Sequence, residues 1–150
     1  MNSQTYYINV QDQAALSKYP FKYFLEDVLT KQPFVLIVTA PWCGHCVHFK
    51  PEIAKSMKTL KAKKPVSSTT KKGGNVKKNK VILHLSDDTM QHITQSHSNS
   101  VLGKLLSQNV NGFPTTLGAS ALNRNTMNIN HFNKERTAEN LSSFIDETHQ

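Results

Sequence analysis

Two cysteines, Cys43 and Cys46, are the only sulfur pair in this chain of 150 residues, and only Gly44 and His45 separate them. A pair so close cannot staple distant parts of a fold, which is how small secreted domains use disulfides. It can exchange: one thiolate attacks a disulfide in another molecule, and the second sulfur then displaces the mixed disulfide. That chemistry needs one sulfur ionised near neutral pH. His45, between the sulfurs, can carry positive charge that favours a thiolate and makes the disulfide form the stronger oxidant.

The elements around the pair predict where it sits. Phe34 to Thr39 is a continuous β-branched and aromatic run after Pro33, as expected of a central strand covered on both faces. Beyond the cysteines, Val47, Ile53, Ala54, Met57 and Leu60 keep a helical spacing, ending near Lys61, with Pro51 expected to kink the helix. A strand that enters Cys-x-x-Cys at the start of a helix sets the first sulfur beside unpaired backbone amides and the positive end of the helix dipole. Cys43 is therefore the expected nucleophile and Cys46 the resolving thiol.

Elsewhere, Tyr6 to Val10 reads as an edge strand, and Gln13 to Leu29 as a helix broken at Pro20. Val81 to Leu85 restores a strand, and Val101 to Leu106 offers a short helix after a polar stretch, Asp87 to Ser100, without clear boundaries. Phe113 to Leu117 and Met127 to Phe132 suggest a hairpin around Asn123 to Asn125, with Gly118 weakening its first strand. Thr137 can cap a last helix with Leu141, Phe144 and Ile145 on its apolar face. These β, α, β units with a terminal hairpin and helix predict one α/β domain: a mixed sheet with helices on both faces.

Composition narrows the function classes. Lysine and arginine number 18 against 10 acidic residues, a formal charge of +8. Eight of the lysines lie in Lys61 to Lys80, a stretch without an acidic or aromatic residue, which reads as a flexible basic insertion. Such a run can bind an anionic partner weakly, nucleic acid or acidic protein, but it lacks the stacking platforms of single-strand binders. No apolar run approaches the roughly 18 residues that cross a bilayer. The polar start, Met1 to Val10, has neither signal nor transit character, so a cytoplasmic location is expected. Cys43, His45, Cys46 and His48 raise the question of zinc, yet a closed site draws on two separated ligand pairs and no second cysteine pair exists. No metal and no cofactor beyond a Cys43–Cys46 disulfide is expected, and His84, His92, His97 and His131, without ligand spacing, are read as surface or satisfied core residues.

The segment Ala40-Pro41-Trp42-Cys43-Gly44-His45-Cys46 resembles the active-site signature of protein disulfide isomerase domains within the thioredoxin superfamily. Val110-Asn111-Gly112-Phe113-Pro114-Thr115 is similar to the family's loop in which a cis-proline faces the dithiol, Pro51 matches its helix proline, and Phe132 to Arg136 with Leu141 to Ile145 resembles its last strand and helix. The resemblance implies a thioredoxin fold and disulfide exchange with protein substrates. It implies a cis Pro114, and a substrate groove shaped by Trp42, Gly44, Phe113 and Pro114. Two positions depart from the pattern. Ile37 stands where the family usually buries an acid that accepts the proton of the second cysteine, which implies slow turnover. Lys134 stands where it has a glycine, which puts the local turn in question. The competing reading is a weakly active thioredoxin-fold binding or structural module. The abundance of Asn and Lys resembles the thioredoxin-domain proteins of large cytoplasmic DNA viruses, which would make a virion component of it.

Overall fold

The computed structural model of the chain describes residues 4–17, 29, 31–64, 79–121 and 127–150. At its centre Phe34–Thr39 forms strand β2, with all six residues buried. Successive side chains of a strand point to opposite faces, so β2 feeds two cores: Phe34, Leu36 and Val38 enter one, Val35 and Ile37 the other. The edge strand β1 is Thr5–Val10 and β3 is Lys80–Ser86; both β1 and β2 pair with β3 in parallel. Thr115–Ala121 (β4) and Met127–His131 (β5) continue the sheet antiparallel, giving the order β1-β3-β2-β4-β5.

Helices cover both faces. Helices α1 (Gln13–Leu16), α3 (Asp87–Ser96) and α4 (Val101–Asn109) deliver Leu16, Ile93, Leu102, Leu105 and Leu106 to the first core. Helices α2 (Gly44–Thr59) and α5 (Ala138–Thr148) deliver Phe49, Ile53, Met57, Leu141 and Ile145 to the second. This is the mixed α/β architecture that the sequence predicts.

Several local expectations change for identifiable reasons. The polar stretch from Asp87 resolves into a helix because Ser86 caps it through the Thr89 amide and Asp87 and Asp88 sit in its first turn, where negative charge is favourable. Ser100 caps α4 in the same way. The first hairpin strand starts at Thr115, after Pro114, which has no N–H for the ladder. It runs on through Gly118, where a side chain would meet the Thr148 hydroxyl of α5 at 2.5 Å. Here glycine is what the strand requires. The helix predicted over Gln13 to Leu29 closes its first segment at Leu16, and Pro20 lies outside the described residues. So do most of the basic stretch and the turn at Asn123 to Asn125. At the ends of the basic stretch Lys63 makes an isolated bridge to β1, where the Tyr7 amide donates to the Lys63 carbonyl at 2.9 Å, and Lys80 opens β3. The bend at Lys134 needs no glycine, since Lys61 (φ 55°) is the one non-glycine residue of positive φ among those described.

A titratable group lies in the layer of the second core. His84 on β3, aligned with Ile37 on β2, is 2% exposed and satisfied at both ring nitrogens. Its Nδ1 meets the Tyr7 hydroxyl at 2.6 Å and its Nε2 the Thr39 hydroxyl at 2.8 Å. Burial, reinforced by the Lys50 charge, lowers His84 to about 4, and burial raises the Tyr7 phenol to about 12. An unfolded histidine takes up its proton near pH 6.5, whereas the folded ring resists until about pH 4. Stability present above pH 6.5 is therefore lost as the pH falls through that window, by about 3 kcal/mol from this group. Urea unfolding at pH 7 and pH 4 should show the loss in the wild type and much less of it in His84→Gln; equal pH slopes would remove His84 from the acid response.

Candidate active site

The dithiol lies where β2 hands over to α2. Cys43 is the N-cap residue, extended at φ −92° and ψ 119°, and its sulfur accepts the backbone N–H of Cys46 at 3.3 Å. Capping side chains normally offer oxygen here; a sulfur is a weak acceptor as a thiol and a stronger one as an anion. The hydrogen bond to the Cys46 thiol, then the Cys46 and His45 amides and the Arg136 charge, hold the Cys43 thiol below its ordinary range. One turn further in, Cys46 takes the opposite shift. Burial, followed by the hydrogen bond to Cys43, pushes it up to about 11, against the opposing pull of the Ala40 amide, which donates to its sulfur at 3.4 Å. Cys43 keeps 8% of its surface accessible and Cys46 3%; both are free thiols. Both are thus largely enclosed, but burial leads only at Cys46. The helix runs through Pro51 to Thr59.

The loop before β4 closes over the first sulfur. The Cys43 thiol donates to the Phe113 carbonyl at 3.4 Å, and the Phe113–Pro114 peptide is cis. The Trp42 indole meets the Phe113 ring edge-on with centroids 5.4 Å apart, an arrangement aromatic pairs favour. Trp42 is nonetheless 69% exposed, and its indole N–H donates to Asp87 at 2.8 Å. A side chain built at Gly44 would meet nothing within 4 Å, so the backbone beside the sulfurs faces open space. Phe113, joined to Pro114 by the cis bond, thus lies over Cys43 with Trp42 against its ring, and Gly44 stands beside the sulfur on the open side.

Two further residues bear on the sulfurs. His45 is exposed, and what reaches Cys43 from it is the backbone amide. Arg136, noted in the sequence only as a flank of the last strand pattern, lowers both cysteines by its charge. Its segment is held by α2 itself: Glu52 accepts the Ala138 amide at 2.9 Å, and Ser56 and Ser142 share a hydrogen bond of 2.7 Å. That amide, with Lys55, keeps the Glu52 carboxyl below its usual range. Spacing alone could not have paired Arg136 with residues some ninety positions earlier. Asp87, the Trp42 partner, was equally invisible. Ile37 is fully buried in the second core, with His84 and Thr116 aligned beside it on the neighbouring strands. Among the described residues no group of three or more His, Cys, Asp or Glu is arranged to hold a metal ion.

The separation of the two thiols makes them distinguishable. With Cys46 at about 11, roughly one molecule in ten thousand carries its thiolate at pH 7. Iodoacetamide at pH 7, with the products mapped by mass spectrometry, should modify Cys43 well before Cys46; equal labelling would show that the cap does not separate them.

Comparison with known proteins follows the same outline. Residues 14–147 match the thioredoxin family. A protein disulfide-isomerase of Triticum aestivum is 39% identical over 56 residues, which is 37% of this chain and 11% of that protein. One of Hordeum vulgare is 38% identical over a stretch of the same size. The chain therefore matches about a ninth of the length of these curated relatives. Among solved structures, ERdj5 form I aligns with 95% of this chain and 15% of its own at 18% identity and a TM-score of 0.50. The zinc-bound form of human ERp44 aligns with 97% and 30% at 12% identity, also with a TM-score of 0.50. At such identities the structural likeness speaks for the fold alone.

Proposed function

The chain belongs to the thioredoxin family, and from that premise we propose that it is a disulfide isomerase-like oxidoreductase exchanging disulfides with protein substrates through Cys43 and Cys46. The observation that carries this reading is the placement of two thiols one helical turn apart: Cys43 caps the helix, accepting the Cys46 amide beneath the Phe113 carbonyl, while Cys46 is buried behind it, which displaces Cys43 downward and Cys46 upward. A nucleophile must ionise first, and a resolving thiol must wait until a mixed disulfide has formed.

In the reducing direction the Cys43 thiolate attacks a substrate disulfide. A Cys43–substrate bond forms, and the far substrate sulfur leaves with the electron pair and takes up a proton. Cys46 then attacks Cys43, forming the intramolecular disulfide and releasing the second substrate thiol. The oxidised chain runs the steps backwards, and the potential of the surrounding thiol pool sets the net direction. Trp42, Phe113 and the cis-proline loop form the wall against which an extended substrate segment lies. Positive charge from Arg136 favours both thiolates.

One observation favours a second reading. Ile37, fully buried in the strand beneath α2, leaves no carboxylate there to accept the Cys46 proton. General-base assistance is typically worth a hundredfold or more, so a slow module that binds proteins around its dithiol is the alternative. Insulin reduction with glutathione as electron source separates the two. The wild type should reduce insulin, Cys43→Ser should fall to the reagent background, and Cys46→Ser should accumulate mixed disulfides on non-reducing gels. Insulin reduction by Cys43→Ser at the wild-type rate would end the oxidoreductase reading.

A further inference from the structure

Apart from the two cysteines, His84 is the titratable side chain among the buried residues described. It lies in the sheet layer under α2, on the face it shares with Ile37 and Ile82. Through Nε2 it holds the Thr39 hydroxyl. Thr39 in turn lines a cleft of about 390 Å³ together with Ala40, Cys46, Lys50, Asp87 and Asp88. A chain of hydrogen bonds thus runs from Tyr7 on the edge strand to the cavity beside the resolving thiol.

The order of donors along that chain follows from acidity. A neutral imidazole donates from one nitrogen and accepts at the other. A phenol is a stronger acid than an alcohol, so Tyr7 is the better donor and takes Nδ1 as its acceptor. Nε2–H then donates to Thr39, and the hydroxyl proton of Thr39 is left for the cleft. We propose that the Tyr7–His84–Thr39 chain positions the Thr39 hydroxyl as a hydrogen-bond donor to the Cys46 thiolate through water in the cleft they share, and so helps Cys46 ionise. The inference rests on the dithiol reading above and supplies what its second step needs. In that step Cys46 gives its proton to cleft water, its thiolate attacks the Cys43 sulfur, and the Cys43–substrate bond breaks as the Cys43–Cys46 bond forms.

His84 is a positioning residue here and not the base. Held at about 4 against about 11 for Cys46, it would take that proton uphill by roughly ten million-fold. Its use is to stay neutral in one tautomer. Lys50 on α2 enforces the neutrality and adds positive charge to the cleft, as Arg136 does for the sulfur. Asp87 and Asp88 on the opposite wall oppose a thiolate, and Asp87 is engaged with Trp42.

The test titrates Cys46 by the rate of iodoacetamide alkylation against pH in a Cys43→Ser background, alone and with Thr39→Val, Thr39→Ser or Tyr7→Phe. Thr39→Val keeps the shape and removes the hydroxyl; the Cys46 titration should rise by about one pH unit, a tenfold slower alkylation near neutral pH. Thr39→Ser should keep the original titration. Tyr7→Phe releases the other tautomer, in which Thr39 donates its proton to Nε2, and should shift Cys46 in the same direction. A Thr39→Val protein that unfolds like its parent yet titrates unchanged overturns the proposal. Should Thr39→Val fail to fold, Tyr7→Phe decides alone: an upward shift supports the chain and none refutes it. Alkylation needs no turnover, so inactivity on insulin would sink the oxidoreductase reading while this titration still decides the donor.

Discussion

A sulfur used as a helix cap is the interaction on which the rest of this molecule depends. Cys43 stands where a serine or aspartate would ordinarily satisfy the orphan amides of the first turn. As a thiol it does this poorly; as a thiolate it does it well, because negative charge at a helix start meets both the free N–H groups and the positive end of the dipole. The fold thereby favours the ionised form of one cysteine. Cys46 donates its amide to that sulfur while its own side chain turns inward, where desolvation favours the neutral form.

Packing and hydrogen bonds from several described elements hold that junction in place. The strand behind it is buried on both faces, so α2 starts from a fixed point and lies along a fixed floor. Phe49, Ile53 and Met57 seat the helix on the sheet, while Glu52 and Ser56 tie α5 to its side through a capping carboxylate and a shared hydroxyl bond. These ties bring the segment of Arg136 within electrostatic reach of sulfurs far away in the chain. On the opposite side the Phe113 carbonyl and ring close over Cys43, and Trp42 joins the loop to α3 through Asp87. Three separate elements therefore converge on one pair of atoms.

The second core is unusual in holding a histidine. A buried imidazole is tolerated only when both nitrogens are paired, and here Tyr7 from β1 and Thr39 from β2 reach it from either side of β3. The three side chains tie the parallel half of the sheet together across its strands and leave polar atoms next to the cavity beside Cys46. An apolar residue at 84 would fill the layer equally well, but it would leave the Tyr7 and Thr39 hydroxyls without this partner.

The dithiol and the elements that hold it were legible in local sequence because they are local. Cys43 and Cys46 lie three positions apart, the strand before them is an unbroken apolar run, and the helix after them shows its period despite Pro51. The end of the chain was equally readable, with Thr137 capping a helix whose apolar residues fall on one side. Polar elements hid better: Asp87–Ser96 is held by a serine cap and by packing of Ile93, and its average composition resembles a loop. What only the tertiary structure decided is which distant groups gather around the dithiol. Strand order brings His84 beside Ile37, the turn after β5 brings up Arg136, and α3 brings Asp87 under Trp42. Sequence spacing encodes the period of one element but not its neighbours in space, and the electrostatic and hydrogen-bond partners named here come from other elements.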